Sequence, residues 1–251
     1  MLVASGPIPM QSFNERLLMK EQAKHRRVLS CLAAMALLSL PAALTVAEDP
    51  KPDSPESVTA LKAIGAVLEL NEQGTVDSVS FTTAGKFTDD ALAHLAGLKS
   101  MTRLNLDGVS VTDEGLKHVQ KLSQLTWLRM SDTGVTDKGL VHLKNLINLR
   151  LLSLTSTKVT DKGLVLLKPL KNLQTLMLRK NAITDAGLEH VVHFSRLKSL
   201  RLSDTQVNDA GIVHLVKLKN LETLTLKRTE ISDSGLERLT TALPNCEITS
   251  P

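Results

Sequence analysis

The chain has no Tyr, one Trp and four Phe among 251 residues, so that aromatic side chains make up only 2% of it. Carbohydrate sites and single-strand nucleic-acid sites stack their ligands on aromatic rings; this composition counts against both. Nine Pro and thirteen Gly exclude collagen-like and Pro-rich architectures. Only two Cys occur, Cys31 and Cys246. None of the sequence signatures G-x-S-x-G, H-E-x-x-H, G-x-G-x-x-G, P-loop or C-x-x-C is present. No catalytic residue, metal site or cofactor is expected, and the chain reads as a non-enzyme. What is abundant is apolar: 42% of residues, enough for a sizeable core.

The formal net charge of +4 suggests nucleic acid until it is divided along the chain. Residues 1–47 hold five cations against Glu15 and Glu21, and the remainder carries 25 cations against 24 carboxylates. A near-neutral body has no global field to attract a polyanion, so no nucleic-acid partner is expected.

Residues 1–47 read as an export signal. A basic start, MKEQAKHRR at 19–27, precedes twenty uncharged residues at 28–47 that end in Thr45-Val46-Ala47. That is the three-part layout of a secretory signal peptide, with Met19 as the expected translation start. Cleavage would release a protein beginning near Glu48, without Cys31 and without stable membrane insertion. The alternative is an uncleaved anchor, since twenty apolar residues can span a bilayer. The expected location is therefore secreted, periplasmic or cell-envelope. Residues 48–53 form a linker, and 54–81 a cap built of a helix and a hairpin, the helix opening at Ser54-Pro55-Glu56.

From residue 82 to 251 the chain repeats itself, and the shortened last unit with Pro244, at Leu243-Pro244-Asn245-Cys246-Glu247-Ile248, reads as a C-terminal cap. Leu104-Asn105-Leu106 recurs at Leu128, Leu152, Leu176, Leu200 and Leu224, each 24 residues on. A weaker copy at Val79 and Phe81 carries one extra residue. Each unit continues with a turn and T-D-x-G-L, as in Thr136-Asp137-Lys138-Gly139-Leu140, and then an apolar residue at every third position. L-x-L alternation predicts a short strand. Thr-Asp predicts a helix start, with side-chain oxygens facing orphan N–H groups. No unit closes its own core; stacking buries a continuous one.

These units resemble leucine-rich repeats, L-x-x-L-x-L-x-x-N-x-L. Leu173, Leu176, Leu178, Asn181 and Ile183 fit in full; Thr133, Thr157, Thr205 and Thr229 replace the Asn, and Val109 breaks the column. The T-D-x-G-L start is similar to repeats of exported bacterial proteins and of F-box adaptors. The resemblance implies an α/β solenoid, with a parallel sheet on the concave face, short helices on the convex face, and a binding scaffold's role without a stated ligand. A ubiquitin-ligase receptor is the least favoured reading, because an export signal is present and no F-box-like segment is.

Two columns invite a metal reading. His94, His118, His142, His190 and His214 share one repeat position, with His193 nearby. Packed helices stand about 8–10 Å apart, far beyond Zn–N bonds of about 2.1 Å, so the column reads as copied by duplication. The Asp column from Asp89 to Asp233 reads as first-turn anions, and the Gly two residues on as room for helix–strand packing. Cys246 sits at an apolar repeat position near the C-terminus and reads as structural.

The residues between the strand leucines are not dictated by the core. Along the six strands they include Arg103, Asn105, Asp107, Trp127, Arg129, Asp132, Leu151, Ser153, Met177, Arg179, Lys180, Arg201, Asp204, Lys227 and Arg228. Trp, Met and Arg are enriched at protein interfaces. Trp127, Arg129, Leu151, Met177, Arg179, Arg201 and Lys227 are therefore the candidate residues for binding a protein partner. An envelope polyanion is the alternative ligand.

Overall fold

The computed structural model describes residues 52–81 and 86–250; the expected signal segment lies outside the described residues. Nine strands form one sheet in chain order: β1 (Val67–Leu70), β2 (Val76–Ser80), β3 (Arg103–Asn105), β4 (Trp127–Arg129), β5 (Leu151–Ser153), β6 (Thr175–Met177), β7 (Ser199–Arg201), β8 (Thr223–Thr225) and β9 (Glu247–Thr249). β1 and β2 pair antiparallel, and every later pair is parallel. Val79 pairs with Leu104, Leu104 with Leu128, and so on to Ile248. The 24-residue period is thus the sheet register itself.

The connections turn through one or two short helical turns. α1 (Pro55–Ala63) opens the described chain. α2 (Leu116–Val119), α3 (Asp161–Leu166), α4 (Asp185–Val191), α5 (Ile212–Leu215) and α6 (Asp233–Ala242) follow in the repeats. Asp89–Gly97 and Gly139–Leu143 are 3₁₀ helices rather than α. A 24-residue unit leaves room for little more than a turn of helix, so the tighter winding serves equally well. Ser54 begins α1 by accepting from the Ser57 N–H at 3.2 Å, with Pro55 at the first helical position. The β1–β2 turn is closed by Asn71, whose Oδ1 accepts from Gln73 and Thr75 N–H groups at 3.0 Å, with Gly74 at φ +78°. Asp53 ties this N-terminal element to the repeats, accepting from Val76 N–H at 2.5 Å and Lys99 N–H at 3.1 Å.

The core is a column of leucines. The central strand residues Leu104, Leu128, Leu152, Leu176, Leu200 and Leu224 are fully buried, as are Leu140, Leu143, Leu146 and Leu149 on the way to the next strand. Each contributes on the order of 1.5–3 kcal/mol, and the repeated pattern makes one continuous cluster from Leu61 to Leu243.

The Asp and Gly columns do more than the sequence suggests. Each Asp from Asp89 to Asp209 reaches into the following repeat. Asp137 Oδ1 accepts from the Thr160 N–H at 2.8 Å, and its Oδ2 from the Thr160 hydroxyl at 2.7 Å. The same pair of bonds joins Asp113 to Thr136, Asp161 to Thr184 and Asp209 to Ser232. Where Asn208 replaces Thr, only the backbone bond to Asp185 is kept, and the Asn208 amide oxygen caps Ala210 as the Thr136, Thr160 and Thr184 hydroxyls cap Lys138, Lys162 and Ala186. The carboxylate lies against the Gly of that next repeat. A Cβ at Gly139, Gly163, Gly187, Gly211 or Gly235 would meet the preceding repeat's Asp Oδ1 closer than 3.0 Å. The glycine therefore makes room for a carboxylate staple, a more specific role than helix–strand packing.

The Asn column behaves as the resemblance implies. Asn181 Nδ2 donates to the carbonyls of Leu154 at 2.6 Å and Leu178 at 3.0 Å, while its Oδ1 accepts from the Thr157 N–H at 2.9 Å. Thr133, Thr157, Thr205 and Thr229 reproduce one of these bonds, each donating to the carbonyl three residues earlier.

Candidate binding face

Three columns of side chains stand on the concave face of the sheet. In register, Arg103, Trp127, Leu151, Thr175, Ser199 and Thr223 make the first, and Asn105, Arg129, Ser153, Met177, Arg201 and Thr225 the second. Asp107, Ser131, Thr155, Arg179, Ser203 and Lys227, two residues further along each unit, make the third. The chain then turns at a residue in the left-handed region: Gly108, Asp132, Ser156, Lys180, Asp204 and Arg228, with φ between 55° and 71°. Gly108 marks this turn in the sequence, and Asp132 and Asp204 are of a type enriched there, but Ser156, Lys180 and Arg228 give no sign of it.

Trp127, Leu151 and Met177 are half-buried, the first two being direct register neighbours. The Arg129 guanidinium lies over the Trp127 ring, 5.7 Å from its centroid, and pairs with Asp107. Its Nε is buried with no hydrogen-bond partner. Asp107 in turn accepts from the Ser131 N–H at 2.6 Å, and the Ser131 and Ser153 hydroxyls lie 2.9 Å apart. Ser153 departs from the expected solvent-facing position: it is 1% exposed, a short side chain between Arg129 and Met177 in register.

The basic residues are less free than the sequence implies. Arg179 Nε donates to Asp204 Oδ2 at 3.0 Å, and Arg228 Nη2 reaches the same oxygen at 2.7 Å. These two guanidiniums hold the Asp204 carboxyl far below the usual carboxylate range, Arg228 having the larger effect. Arg103 pairs with Asp77 at 2.8 Å and with Glu69 at 3.5 Å. Arg201 and Lys227 are exposed and have no carboxylate within salt-bridge distance among the described residues. The candidate residues thus divide into Trp127, Arg129, Leu151 and Met177 at the centre, and Arg179, Arg201 and Lys227 toward the C-terminal strands. Sequence periodicity separates outward from inward positions, but the ion pairs join residues of neighbouring units, 22 to 34 positions apart, and come only with the register.

On the convex side, the His142 ring lies 3.4 Å from the Gln120 side-chain oxygen, and His190 and His214 each bury an Nδ1 without a partner. Burial lowers the His190 pKa, and Lys168 adds to it. No group of three metal-ligating side chains occurs among the described residues. Cys246 is half-buried, and burial raises its thiol pKa.

A sequence profile described as Leucine Rich repeat matches residues 145–168 and 170–191, two successive units. The units are leucine-rich repeats. Among solved structures, the chain is similar to internalin C2 of Listeria monocytogenes, with 25% identity and a TM-score of 0.57 over 79% of this chain and 86% of that one. A leucine-rich repeat protein of Leptospira interrogans is 25% identical over 62% of this chain and 44% of that one, with a TM-score of 0.46. No curated protein sequence matches. The leucine-rich repeat solenoid is therefore common to the internal periodicity, the sheet register and the internalin structure. No helix among the described residues is long and apolar enough to cross a membrane.

Proposed function

We propose that the protein is an exported leucine-rich repeat scaffold that binds another protein through the concave sheet face centred on Trp127. The observation that carries this reading is the row Trp127–Leu151 beside Met177: three large side chains on the face, at positions that the buried leucines do not require. Arg129, held between the Trp127 ring and Asp107, presents a guanidinium already fixed in place, which lowers the ordering cost of binding. Half-buried Trp flanked by Arg and Met is the composition of an interface anchor. Export rests on the layout of residues 19–47, and N-terminal sequencing of the exported form should give a start at or near Glu48. An intact N-terminus in the membrane fraction would establish the anchored form instead.

The test of the binding reading is affinity capture from an envelope extract with the unmodified protein, Trp127→Ala and the convex-side control His142→Ala in parallel. A partner retained by the first and third and lost by the second supports the concave face. A partner retained equally by all three removes it.

A further inference from the structure

The concave face is charged unevenly along its length. Over β1 to β4 it carries the carboxylates Glu69, Asp107 and Asp132 against Arg103 and Arg129, with Asp77 at the strand-start edge pairing Arg103. Over the three units of β6 to β8 it carries Arg179, Lys180, Arg201, Lys227 and Arg228 against Asp204, with Glu247 at the far edge strand. Between them the β5 unit presents Leu151, Ser153, Thr155 and Ser156, with no charge. Ion pairing sharpens this division. Asp107 takes up Arg129, and Asp77 and Glu69 take up Arg103, so that among the described residues no cation on this face over β1 to β4 is left over. Asp204 fixes Arg179 and Arg228 but cannot neutralise both, and Lys180, Arg201 and Lys227 remain exposed and without a carboxylate within salt-bridge distance among the described residues.

We infer that the partner is a protein segment with acidic and apolar residues, docked in one direction, its acidic part over Lys180, Arg201 and Lys227 and its apolar part on Trp127, Leu151 and Met177. This rests on the concave-face reading above. Complementary charge sets orientation and on-rate more than residence, and an apolar anchor alone has no preferred direction. A uniform polyanion fits less well. It would leave the Trp127 row unused, meet Asp204 within the cationic area and meet net negative charge beyond it. The distances suit a short extended peptide: β4 to β8 is four strand steps of about 4.8 Å, about 19 Å in all, which about six extended residues span.

Trp127 is the only Trp in the chain, so its emission reports occupation of this face. The experiment titrates the protein with a Glu–Leu peptide of about twelve residues, its Glu residues gathered in one half and its Leu residues in the other, with its Lys–Leu counterpart, and with heparin. The Glu–Leu peptide is expected to shift Trp127 emission, the Lys–Leu peptide to leave it unmoved. Arg201→Glu with Lys227→Glu should weaken the Glu–Leu peptide at least tenfold and flatten its salt dependence. The charge-matched exposed pair Lys121→Glu with Lys144→Glu should leave it unchanged, with melting curves checking that both variants fold. Equal binding of the two peptides, or no loss in the Arg201/Lys227 variant, overturns the directional docking while the Trp127→Ala capture still decides whether the face binds at all. Heparin that shifts Trp127 as strongly as the peptide and loses as much in the double variant overturns the peptide assignment in favour of a polyanion.

Discussion

Asp137 and Gly163 belong to successive repeats, and the Oδ1 of the first occupies space that a Cβ on the second would need. The carboxylate is fixed there by the N–H and hydroxyl of Thr160. Gly163→Ala should therefore destabilise the fold, although alanine is otherwise the better helix residue by about 0.5–1 kcal/mol. Overpacking of this kind costs about 1–3 kcal/mol, and the net loss is expected within that range. Adding Asp137→Ala to Gly163→Ala should cost less than the two changes separately, because the tightest part of the clash disappears with the carboxylate and only the Leu140 Cδ1, at 2.9 Å, is left to give way. Urea denaturation of the four proteins checks it; additive losses would show that the glycine answers to something other than Asp137.

That staple was only half legible in the sequence. The recurrence of Asp and Gly every 24 residues shows that both matter, and helix-start chemistry explains an Asp without invoking a neighbour. The contact joins Asp137 to a glycine 26 residues later and a Thr 23 later, and neither offset means anything until the sheet register is known. The strand and core positions were legible because L-x-L alternation and the period over-determine them. The outward position of Trp127 was legible for the same reason. The sheltered Ser153, the turn residues Ser156 and Lys180 at positive φ, and the pairing of Arg179 and Arg228 on Asp204 depend on neighbouring units and were not.

Asn181 is the one residue that makes the full set of turn bonds, donating to Leu154 and Leu178 carbonyls and accepting from Thr157 N–H. Asn181→Ala leaves the Leu178 carbonyl and the Thr157 N–H without partners inside the stack, while the Leu154 carbonyl keeps the Thr157 hydroxyl; it should cost about 2–4 kcal/mol, from two unmet bonds at about 1–3 kcal/mol each with partial relaxation. Asn181→Thr should cost less, since Thr133, Thr157 and Thr205 each satisfy the carbonyl three residues back. Chemical denaturation of both variants orders them; equal losses would mean that the bond to the Leu178 carbonyl contributes nothing.

Stability should fall in two stages on acidification. His190 has its pKa lowered by burial, so the unfolded chain takes up a proton first. Its contribution is complete above the ordinary histidine value of about 6.5 and declines as pH falls below it. Asp204 is depressed by Arg228 and Arg179, and Asp209 by the Ser232 hydroxyl and N–H. Their contributions are complete above the ordinary aspartate value of about 3.9 and decline below it. Melting temperature measured from pH 7 to pH 2 should show both declines. His190→Gln should remove the first and Asp204→Asn reduce the second, and added salt should weaken the Asp204 component because that group faces solvent.

Trp127 and Arg129 share one small assembly, and the two changes that remove it should not act independently. The ring covers one side of the guanidinium, Asp107 pairs with it, and Arg129 Nε is buried with no hydrogen bond of its own. Trp127→Ala uncovers that nitrogen to water, which offsets part of the apolar area lost from a half-buried ring. The expected cost to folding is about 1 kcal/mol, well below the 3–5 kcal/mol of a core aromatic. A double-mutant cycle with Arg129→Ala should give a coupling of about 0.5–1 kcal/mol. In partner binding the order reverses: Trp127→Ala should cost about 2 kcal/mol or more, because the ring is the largest side chain on the face and its remaining exposure is closed by the partner. Emission of the free protein should lie between those of a solvated and a core Trp and be accessible to acrylamide. A strongly blue-shifted, unquenchable emission, with a folding loss of several kcal/mol, would make Trp127 a core residue and leave the concave face without its anchor.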